Sequence, residues 1–455
     1  MDIVILGAGG LGFQLAKQLI EERKNIVLIE KDTEKAKHAA KLLDCLVINE
    51  PGNNLETLRK AGISKADYFI SVTDSDEMNM VACGMVSSES HVPNKIARIR
   101  NIDYSGTDVL KRPFLGIDYF VNPEIEASRA IIRAIERGAV SDVVFFEKSS
   151  LQMRSIAVTG TSLLNHKSIE EIKKTIHTNF LVAVILRENF YIIPRGDSVV
   201  RENDILYLIA TEENFEKIFS QVGKKRMKVN KIVLIGGGRI GRYIAEHFLH
   251  GHKKLFPILG RFLRYFRQAG KRKINIIDSD YENCKLLADR FPEALVINAN
   301  ISDEGFSEEE QLSNTDLVIA ATDNQELNIV NAVYAKTLGA KRSIVLVNKS
   351  SYVQIASNLG IDVAISPIDS MVSSILKYIR SSNIRSVHSI SGGKVEVIEL
   401  SITKSSRMAG KKIKEISFPS HTLILSVTRG DTDIIPDGEL SLQSGDYIII
   451  IARKE

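Results

Sequence analysis

DIVILGAGGLG, residues 2–12, joins an apolar run to a glycine-rich turn with the spacing G-x-G-x-x-G. A helical pattern follows the turn, and a second apolar run, residues 26–29, ends at Glu30. A strand, a glycine turn, a helix, a second strand and a terminal acid form, in this order, the fingerprint of a dinucleotide-binding fold. The stretch therefore predicts a parallel, doubly wound sheet with a nucleotide site at the glycine turn.

Each part of this fingerprint has a physical role. Gly7 allows the tight turn, Gly9 lets the backbone approach a pyrophosphate, and Gly12 lets the helix pack close to the strand. The free N–H groups at the start of the helix face the anion. Glu30 is placed to accept hydrogen bonds from ribose hydroxyls, and its charge would repel a 2′-phosphate. We therefore expect NAD(H) or an adenine nucleotide rather than NADP.

The fingerprint occurs a second time in the chain. KIVLIGGGRIG, residues 231–241, repeats the strand and turn, and a later apolar run, residues 274–277, ends at Asp278. The fourth strand of each copy runs into a Thr-Asp pair, Thr73-Asp74 and Thr322-Asp323. A repeat of this length indicates a duplicated domain.

A smaller module follows each copy and is also repeated. An arginine, a proline and an aspartate recur with the same two separations, 7 and 10 residues, in both modules: Arg187, Pro194 and Asp204, then Arg429, Pro436 and Asp446. The sequence thus predicts a tandem pair of two-module units with a linker at Lys224–Arg226, divided at residues 1–122, 140–224, 229–366 and 381–455. Pro123 and Pro367 are each expected to open an amphipathic helix between the modules.

Composition restricts the class of protein. The chain has 455 residues, a net charge of +4 and three cysteines, Cys45, Cys83 and Cys284. The small net charge gives no sign of nucleic-acid binding. Three scattered cysteines fit a reducing cytoplasm better than a disulfide framework or a cysteine-based zinc site. No apolar run is long enough to span a bilayer, and no signal peptide precedes the first strand, so we expect a soluble protein.

These motifs together resemble the TrkA family, the cytoplasmic regulatory subunits of bacterial Trk potassium uptake systems. The resemblance rests on residues 7–12, 72–82, 95–100, 339–341 and 364–367 and extends from end to end. It implies two Rossmann domains of the RCK N-terminal type, each followed by a small α+β domain of the RCK C-terminal type. The family also implies a homo-oligomeric gating ring, a dimer or tetramer, at the cytoplasmic face of the inner (plasma) membrane.

The resemblance further implies a partner and a ligand. The partner would be a membrane potassium-translocating subunit of the TrkH, TrkG or KtrB type, gated in response to NAD(H) or ATP/ADP. The positions carried over for nucleotide binding are Gly7, Ala8, Gly9, Gly10, Leu11, Gly12, Glu30, Thr73, Asp74 and Arg98 in the first half, and Gly236, Gly237, Gly238, Arg239, Ile240, Gly241, Asp278, Thr322 and Asp323 in the second.

The two sites differ at two places. The position that matches Arg98 is interpreted as Val347, so the second site would lack this cation. The loop after the third strand contains Gly52 in the first half but Asn298–Asn300 in the second. We therefore expect tighter binding at the first site.

Residues 252–273 have no counterpart in the first half. They hold eight lysines and arginines and no acid, and apolar residues recur among them at spacings of 4, 3 and 4. This pattern predicts a basic amphipathic helix. It would attach to an anionic membrane surface or to the channel subunit, or it is a solvated helix that docks on its own domain.

An NAD-dependent oxidoreductase acting on a small hydroxy acid is the main alternative, because fold alone does not decide function. The small modules offer it only two arginines and two aspartates. The Tyr281/Lys285 pair is interpreted as coincidence, and His247, His250 and His252 as a surface helix end. Control of another RCK-gated transporter or of a potassium channel stays open, as does a simple helix-capping role for Asp74 or Ser75.

Overall fold

The computed structural model describes residues 1–101, 104, 115–136, 143–146, 149–188, 190–222, 229–250, 272–300, 314–379, 384–390, 395–404, 406–418, 422–430 and 432–453. The chain divides into two compact units. Unit 1 contains Met1–Ala139 and Val229–Leu376, and unit 2 contains Val140–Lys228 and Lys377–Glu455.

The first part of unit 1 alternates strands with helices: β1 (Asp2–Leu6), α1 (Gly10–Glu21), β2 (Asn25–Ile29), α2 (Thr33–Leu42), β3 (Leu46–Ile48), α3 (Leu55–Lys60), β4 (Tyr68–Ser71), α4 (Asp76–Glu89), β5 (Asn94–Arg98), β6 (Tyr119–Val121) and α5 (Pro123–Glu136). Its parallel sheet has the order β3-β2-β1-β4-β5-β6. Ile3, Val4 and Ile5 are all buried. Successive residues of a strand point to opposite faces, so both faces of this sheet are covered.

The first small module belongs to unit 2 and is mainly antiparallel: β7 (Val143–Phe145), β8 (Leu151–Ala157), α6 (Ile169–Thr175), β9 (Leu181–Arg187), β10 (Phe190–Ile192), β11 (Ile205–Thr211) and α7 (Glu212–Gln221). Its sheet has the order β10-β9-β11-β8-β7.

The second part of unit 1 repeats the Rossmann pattern: β12 (Lys231–Ile235), α8 (Arg239–Leu249), β13 (Lys273–Asp278), α9 (Tyr281–Arg290), β14 (Leu295–Asn298), β15 (Leu317–Ala320), α10 (Gln325–Thr337), β16 (Ser343–Leu346), α11 (Ser350–Asn358), β17 (Val363–Ile365) and α12 (Pro367–Ile379). Its sheet order, β14-β13-β12-β15-β16-β17, is that of the first half. The predicted duplication of a doubly wound sheet is confirmed.

The second small module completes unit 2: β18 (Ile384–Ile390), β19 (Val395–Ser401), β20 (Thr422–Arg429), β21 (Thr432–Ile434) and β22 (Tyr447–Arg453). Its sheet has the order β18-β19-β22-β20-β21. The two small modules share one hydrophobic core, to which Met153 and Ala183 contribute from the first module and Val397 and Leu425 from the second.

An ion pair explains the repeated spacing in the small modules. The Arg187 guanidinium donates to both carboxylate oxygens of Asp204 at 2.8 Å. Arg429 binds Asp446 in the same two-pronged way, at 2.9 and 2.8 Å. Both aspartates are almost fully buried. Paired hydrogen bonds of this geometry are what make a buried charge tolerable.

In unit 1, the last helix of each Rossmann half packs against the other half. These two helices, α5 and α12, begin at Pro123 and Pro367. Ala127 and Ile131 of α5 are buried in the core of the second sheet. In the other direction, the Ser374 hydroxyl of α12 lies 2.7 Å from the Tyr119 hydroxyl of the first half. Each half thus contributes one helix that packs against the other half.

Three predictions fall wholly or mostly on residues outside the described ones. Of the basic segment 252–273, only Arg272 and Lys273 are described, and Lys273 opens β13. The linker Lys224–Arg226 and His252 also lie outside the described residues. Among the residues that are described, no helix is both long and apolar enough to cross a membrane.

Candidate nucleotide-binding sites

The first glycine turn has the geometry that its sequence predicts. Gly7 adopts φ +104°, in the region that favours glycine, and a methyl group on Gly12 would lie 1.8 Å from the carbonyl oxygen of Gly7. Gly9 differs, because a methyl group there would meet nothing within 4 Å. Gly7 and Gly12 are therefore required by the fold, whereas Gly9 keeps space open in front of the α1 N-terminus. Gly236, Gly241 and Gly238 repeat the three situations in the second half.

The acid at the end of the second strand lies against the glycine turn. Glu30 is 8% exposed, and its carboxylate accepts from the Ala8 N–H at 2.6 Å and from the Asp32 N–H at 2.9 Å. Asp278 does the same with the N–H groups of Gly237, at 2.7 Å, and Asp280, at 2.8 Å. Each acid therefore fixes its turn through one carboxylate oxygen while it stands at the carboxyl edge of the sheet.

A buried asparagine shapes the loop after β4. The Asn79 side chain accepts from the N–H and hydroxyl of Thr73 at 2.9 and 2.7 Å, and it donates to the carbonyls of Thr73 and Arg98 at 3.1 and 2.8 Å. Ser75 caps α4 by accepting from the Met78 N–H. Ser75 is therefore the residue that caps α4. The exposed Asp74 carboxylate pairs with Arg98 instead.

Asp74 pairs with Arg98, the cation at the end of β5. Nη1 of Arg98 donates to the Asp74 carboxylate at 2.9 Å and to the Thr73 carbonyl at 3.0 Å. The Arg98 side chain is only 14% exposed. Within the described residues, its Nε is buried and finds no hydrogen-bond partner. The first half therefore brings Thr73, Asp74 and Arg98 together at the ends of β4 and β5.

The second half keeps the asparagine but not the cation. Asn328 makes the corresponding bonds to Thr322 and to the carbonyl of Leu346. The strand register shows that Arg98 corresponds to Leu346, since Arg98 pairs with Val121 as Leu346 pairs with Ile365. The assignment to Val347 was wrong by one residue, because sequence spacing alone did not fix the register. The absence of an arginine at this position still holds.

A cation stands on the second glycine turn instead. Arg239 occupies the position of Gly10, is 58% exposed along its side chain, and lies 3.8 Å from the Glu124 carboxylate of α5. Leu11 is buried and Ile240 is partly buried against the core, so these two residues face the turn only with their backbone. Asp323 is exposed at the end of the loop after β15.

The patterns that were set aside have structural explanations. The Lys285 ammonium lies 4.4 Å from the centre of the Tyr281 ring, as a cation–π pair on exposed helix α9. His250 pairs with Glu246 at 3.3 Å. Within the described part of the chain, no group of three potential metal ligands occurs.

Sequence reasoning missed three residues that shape these sites. Asn79 and Asn328 stand six residues after the threonine in both copies, and this repeated spacing marks them as equivalent without revealing their role in the sites. Glu124 had no such signal, because only the crosswise packing of α5 brings it to the second site.

Comparison with known proteins agrees with this architecture. The family model of the TrkA-N domain matches residues 3–123 and 258–367, and that of the TrkA-C domain matches residues 153–223 and 397–455. The Trk system potassium uptake protein TrkA of Halomonas elongata is 30% identical over 455 residues, which cover 99% of this chain and 95% of that protein. TrkA homolog 1 of Methanosarcina mazei is 31% identical over 460 residues, with 99% and 97% covered.

Solved structures share the fold. The GsuK channel bound to NAD superposes with a TM-score of 0.56 at 18% identity and covers 99% of this chain and 76% of that one. The GsuK RCK domain gives 0.55 at 18% identity, with 99% and 92% covered.

Proposed function

Because the chain belongs to the TrkA family of potassium-uptake regulatory subunits, which are not enzymes, we propose that it senses NAD(H) or ATP/ADP and gates a potassium-translocating membrane protein. The observation that carries the proposal is the glycine turn itself: the space in front of Gly9 is open, and the Glu30 carboxylate lies beside the turn. An exposed helix N-terminus binds phosphate, and an acid one strand away accepts from ribose hydroxyls.

Glu30 also restricts the ligand. A 2′-phosphate would meet a carboxylate at this place, so NAD(H) and unmodified adenine nucleotides are favoured over NADP. The GsuK channel, which shares the fold, has been solved bound to NAD, and this supports a dinucleotide as the ligand.

The first site is proposed to bind more tightly than the second. Arg98 lies beside Thr73 and Asp74 at the strand ends, and its buried Nε has a hydrogen-bonding capacity that the described residues leave unused. A ligand phosphate would use this capacity and share the guanidinium with Asp74. Leu346 gives the second site no such donor at that position.

Membership of the family supports a proposal about the assembly. We propose a homo-oligomeric ring, a dimer or tetramer, docked on a membrane subunit of the TrkH, TrkG or KtrB type at the cytoplasmic face of the inner membrane. Gating requires that the nucleotide bind two ring conformations unequally. The dehydrogenase hypothesis loses its candidate groups, because Arg187 and Asp204 are bound to each other.

Calorimetric titration with NADH, NAD, ATP and ADP tests the proposal. Gly9→Ala should abolish binding at the first site without unfolding the protein, because the methyl group enters the space left for the ligand and meets no protein atom. Gly196→Ala is the matched control, since that glycine in unit 2 is also surrounded by open space. Wild-type protein that binds none of the four nucleotides, or Gly9→Ala protein that binds like wild type, would overturn the proposal.

A further inference from the structure

We propose that Glu124 makes the second nucleotide site discriminate against highly charged ligands, so that it accepts NAD(H) more readily than ATP. The inference rests on the proposed function and assigns a specificity-determining residue to the second site. Its basis is a carboxylate that the first half of the chain places at the glycine turn of the second half.

Two arginines, Arg100 and Arg239, lie next to Glu124. Glu124 is the second residue of α5, and its side chain is 11% exposed. Its Oε1 accepts from Nε and Nη2 of Arg100, both at 3.2 Å, and lies 3.8 Å from Nη1 of Arg239. Among the described residues, its buried Oε2 has no hydrogen-bond partner. Arg100 thus holds the carboxylate in place near the Arg239 guanidinium, and the second carboxylate oxygen has no donor among the described residues.

At the position of Glu124, the first site has an isoleucine, and the next residue of that helix, Asp369, accepts from the Gln14 side chain of α1. The helix that crosses to the first half, α12, begins Pro367-Ile368 where α5 begins Pro123-Glu124. A methyl group on Gly10 would lie 3.0 Å from Cδ1 of Ile368. The two halves thus repeat the contact between a glycine turn and the start of the crossing helix, with an apolar side chain at the first site and a carboxylate at the second.

This difference in charge has a direct consequence for phosphate binding. An anionic ligand at the second turn would approach Arg239, which is already paired with Glu124. The ligand therefore has to share that cation and also meets the field of the carboxylate. Repulsion grows with the charge of the ligand, and ATP carries about twice the charge of NADH and a still larger multiple of the net charge of NAD, whose nicotinamide ring is cationic. The carboxylate therefore weakens the binding of ATP more than the binding of NAD(H).

The test isolates the second site by titrating NADH and ATP into Gly9→Ala protein without divalent cations, with and without Glu124→Gln. The amide keeps the size of the side chain but removes its charge. We expect Glu124→Gln to tighten NADH binding about twofold and ATP binding about fivefold, as single charge contacts near a protein surface allow. The difference between the two ligands should shrink in about 0.5 M salt, where charges are screened.

The mirror position supplies the matched arm. In Gly238→Ala protein, which leaves only the first site, Ile368→Glu should weaken ATP binding more than NADH binding, relative to Ile368→Gln. Equal gains for both ligands in Glu124→Gln, or weaker ATP binding, would overturn the inference even though nucleotides bind. If the second site is silent with and without Glu124→Gln, the Ile368 arm decides, and equal losses for the two ligands there overturn the inference. Failure of the wild-type protein to bind any nucleotide would instead refute the proposed function.

Discussion

Replacement of Asn79 by alanine gives a direct measure of how the first site is held together. The side chain is fully buried in α4 and makes four hydrogen bonds to Thr73 and Arg98 and a fifth to the Ser71 hydroxyl at 2.9 Å. Truncation removes all five bonds at once and leaves a small polar cavity between β4 and β5.

The magnitude follows from the groups that lose their partner. Two of them belong to the backbone, the N–H of Thr73 and the carbonyl of Arg98, whereas the Thr73 carbonyl keeps its hydrogen bond from Arg98. A buried polar group without a partner costs about 1–3 kcal/mol, and water that enters the cavity recovers part of this. We therefore expect the free energy of unfolding of unit 1 to fall by about 3 kcal/mol. The loop at Thr73 should loosen, and nucleotide affinity at the first site should fall at least tenfold, which is about 1.4 kcal/mol.

Two measurements on the full chain check this prediction. Hydrogen exchange followed by mass spectrometry should show faster exchange in residues 72–79, and urea unfolding should show the loss of stability. Asn53→Ala is the matched control, because this exposed asparagine should change stability by less than about 0.5 kcal/mol. Asn328→Ala should have the same effect in the second half. A loss below about 1 kcal/mol for Asn79→Ala, with unchanged exchange, would refute the reasoning.

Two further predictions concern the fold itself. Gly12→Ala should prevent unit 1 from folding normally, since its methyl group would lie 1.8 Å from the Gly7 carbonyl oxygen, and circular dichroism and solubility will report this. Acid should destabilise unit 2 through Asp204: burial by itself raises the pKa of this carboxyl, but hydrogen bonds from Arg187 and the Arg201 N–H lower it more. The pKa in the folded protein thus lies below the unfolded value of about 3.9, so the stabilisation is complete above about pH 4 and is lost as pH falls through the folded pKa. Acid unfolding monitored by circular dichroism should show this loss, and it should be smaller in Asp204→Asn, which will be less stable at neutral pH.

The sequence was sufficient for the elements and their repetition. Apolar runs identified the parallel strands, because strands buried on both faces lack polar residues. Pro123 and Pro367 marked the first residues of α5 and α12 correctly. Glu30 and Asp278 were identified as the acids that follow the second strand, because this position is fixed by the local strand–turn–helix geometry.

Contacts between segments that are far apart in the sequence could not be predicted from local patterns. The matching of Arg98 to Val347 failed because a shift of one residue along a strand costs nothing in sequence similarity but exchanges the two faces of the sheet. The ion pair of Arg187 with Asp204 was visible only as a repeated spacing. The place of Glu124 depends on which half α5 packs against, and no local pattern encodes that choice.

The differences between the two halves suggest why the duplication lies within one chain. An assembly of identical half-chains would give both sites the same residues, because symmetry repeats every contact. In a single chain, equivalent positions can hold different residues. Leu346 occupies in the second half the position of Arg98, and Ile368 occupies in α12 the position of Glu124 in α5. The residues that hold the geometry are matched in kind: Gly12 and Gly241, Glu30 and Asp278, Thr73 and Thr322, Asn79 and Asn328. The two candidate sites thus share the residues that fix the backbone and differ in charge at the two equivalent positions named above. Under the proposed function, this difference in charge would let the two sites respond differently to two nucleotides.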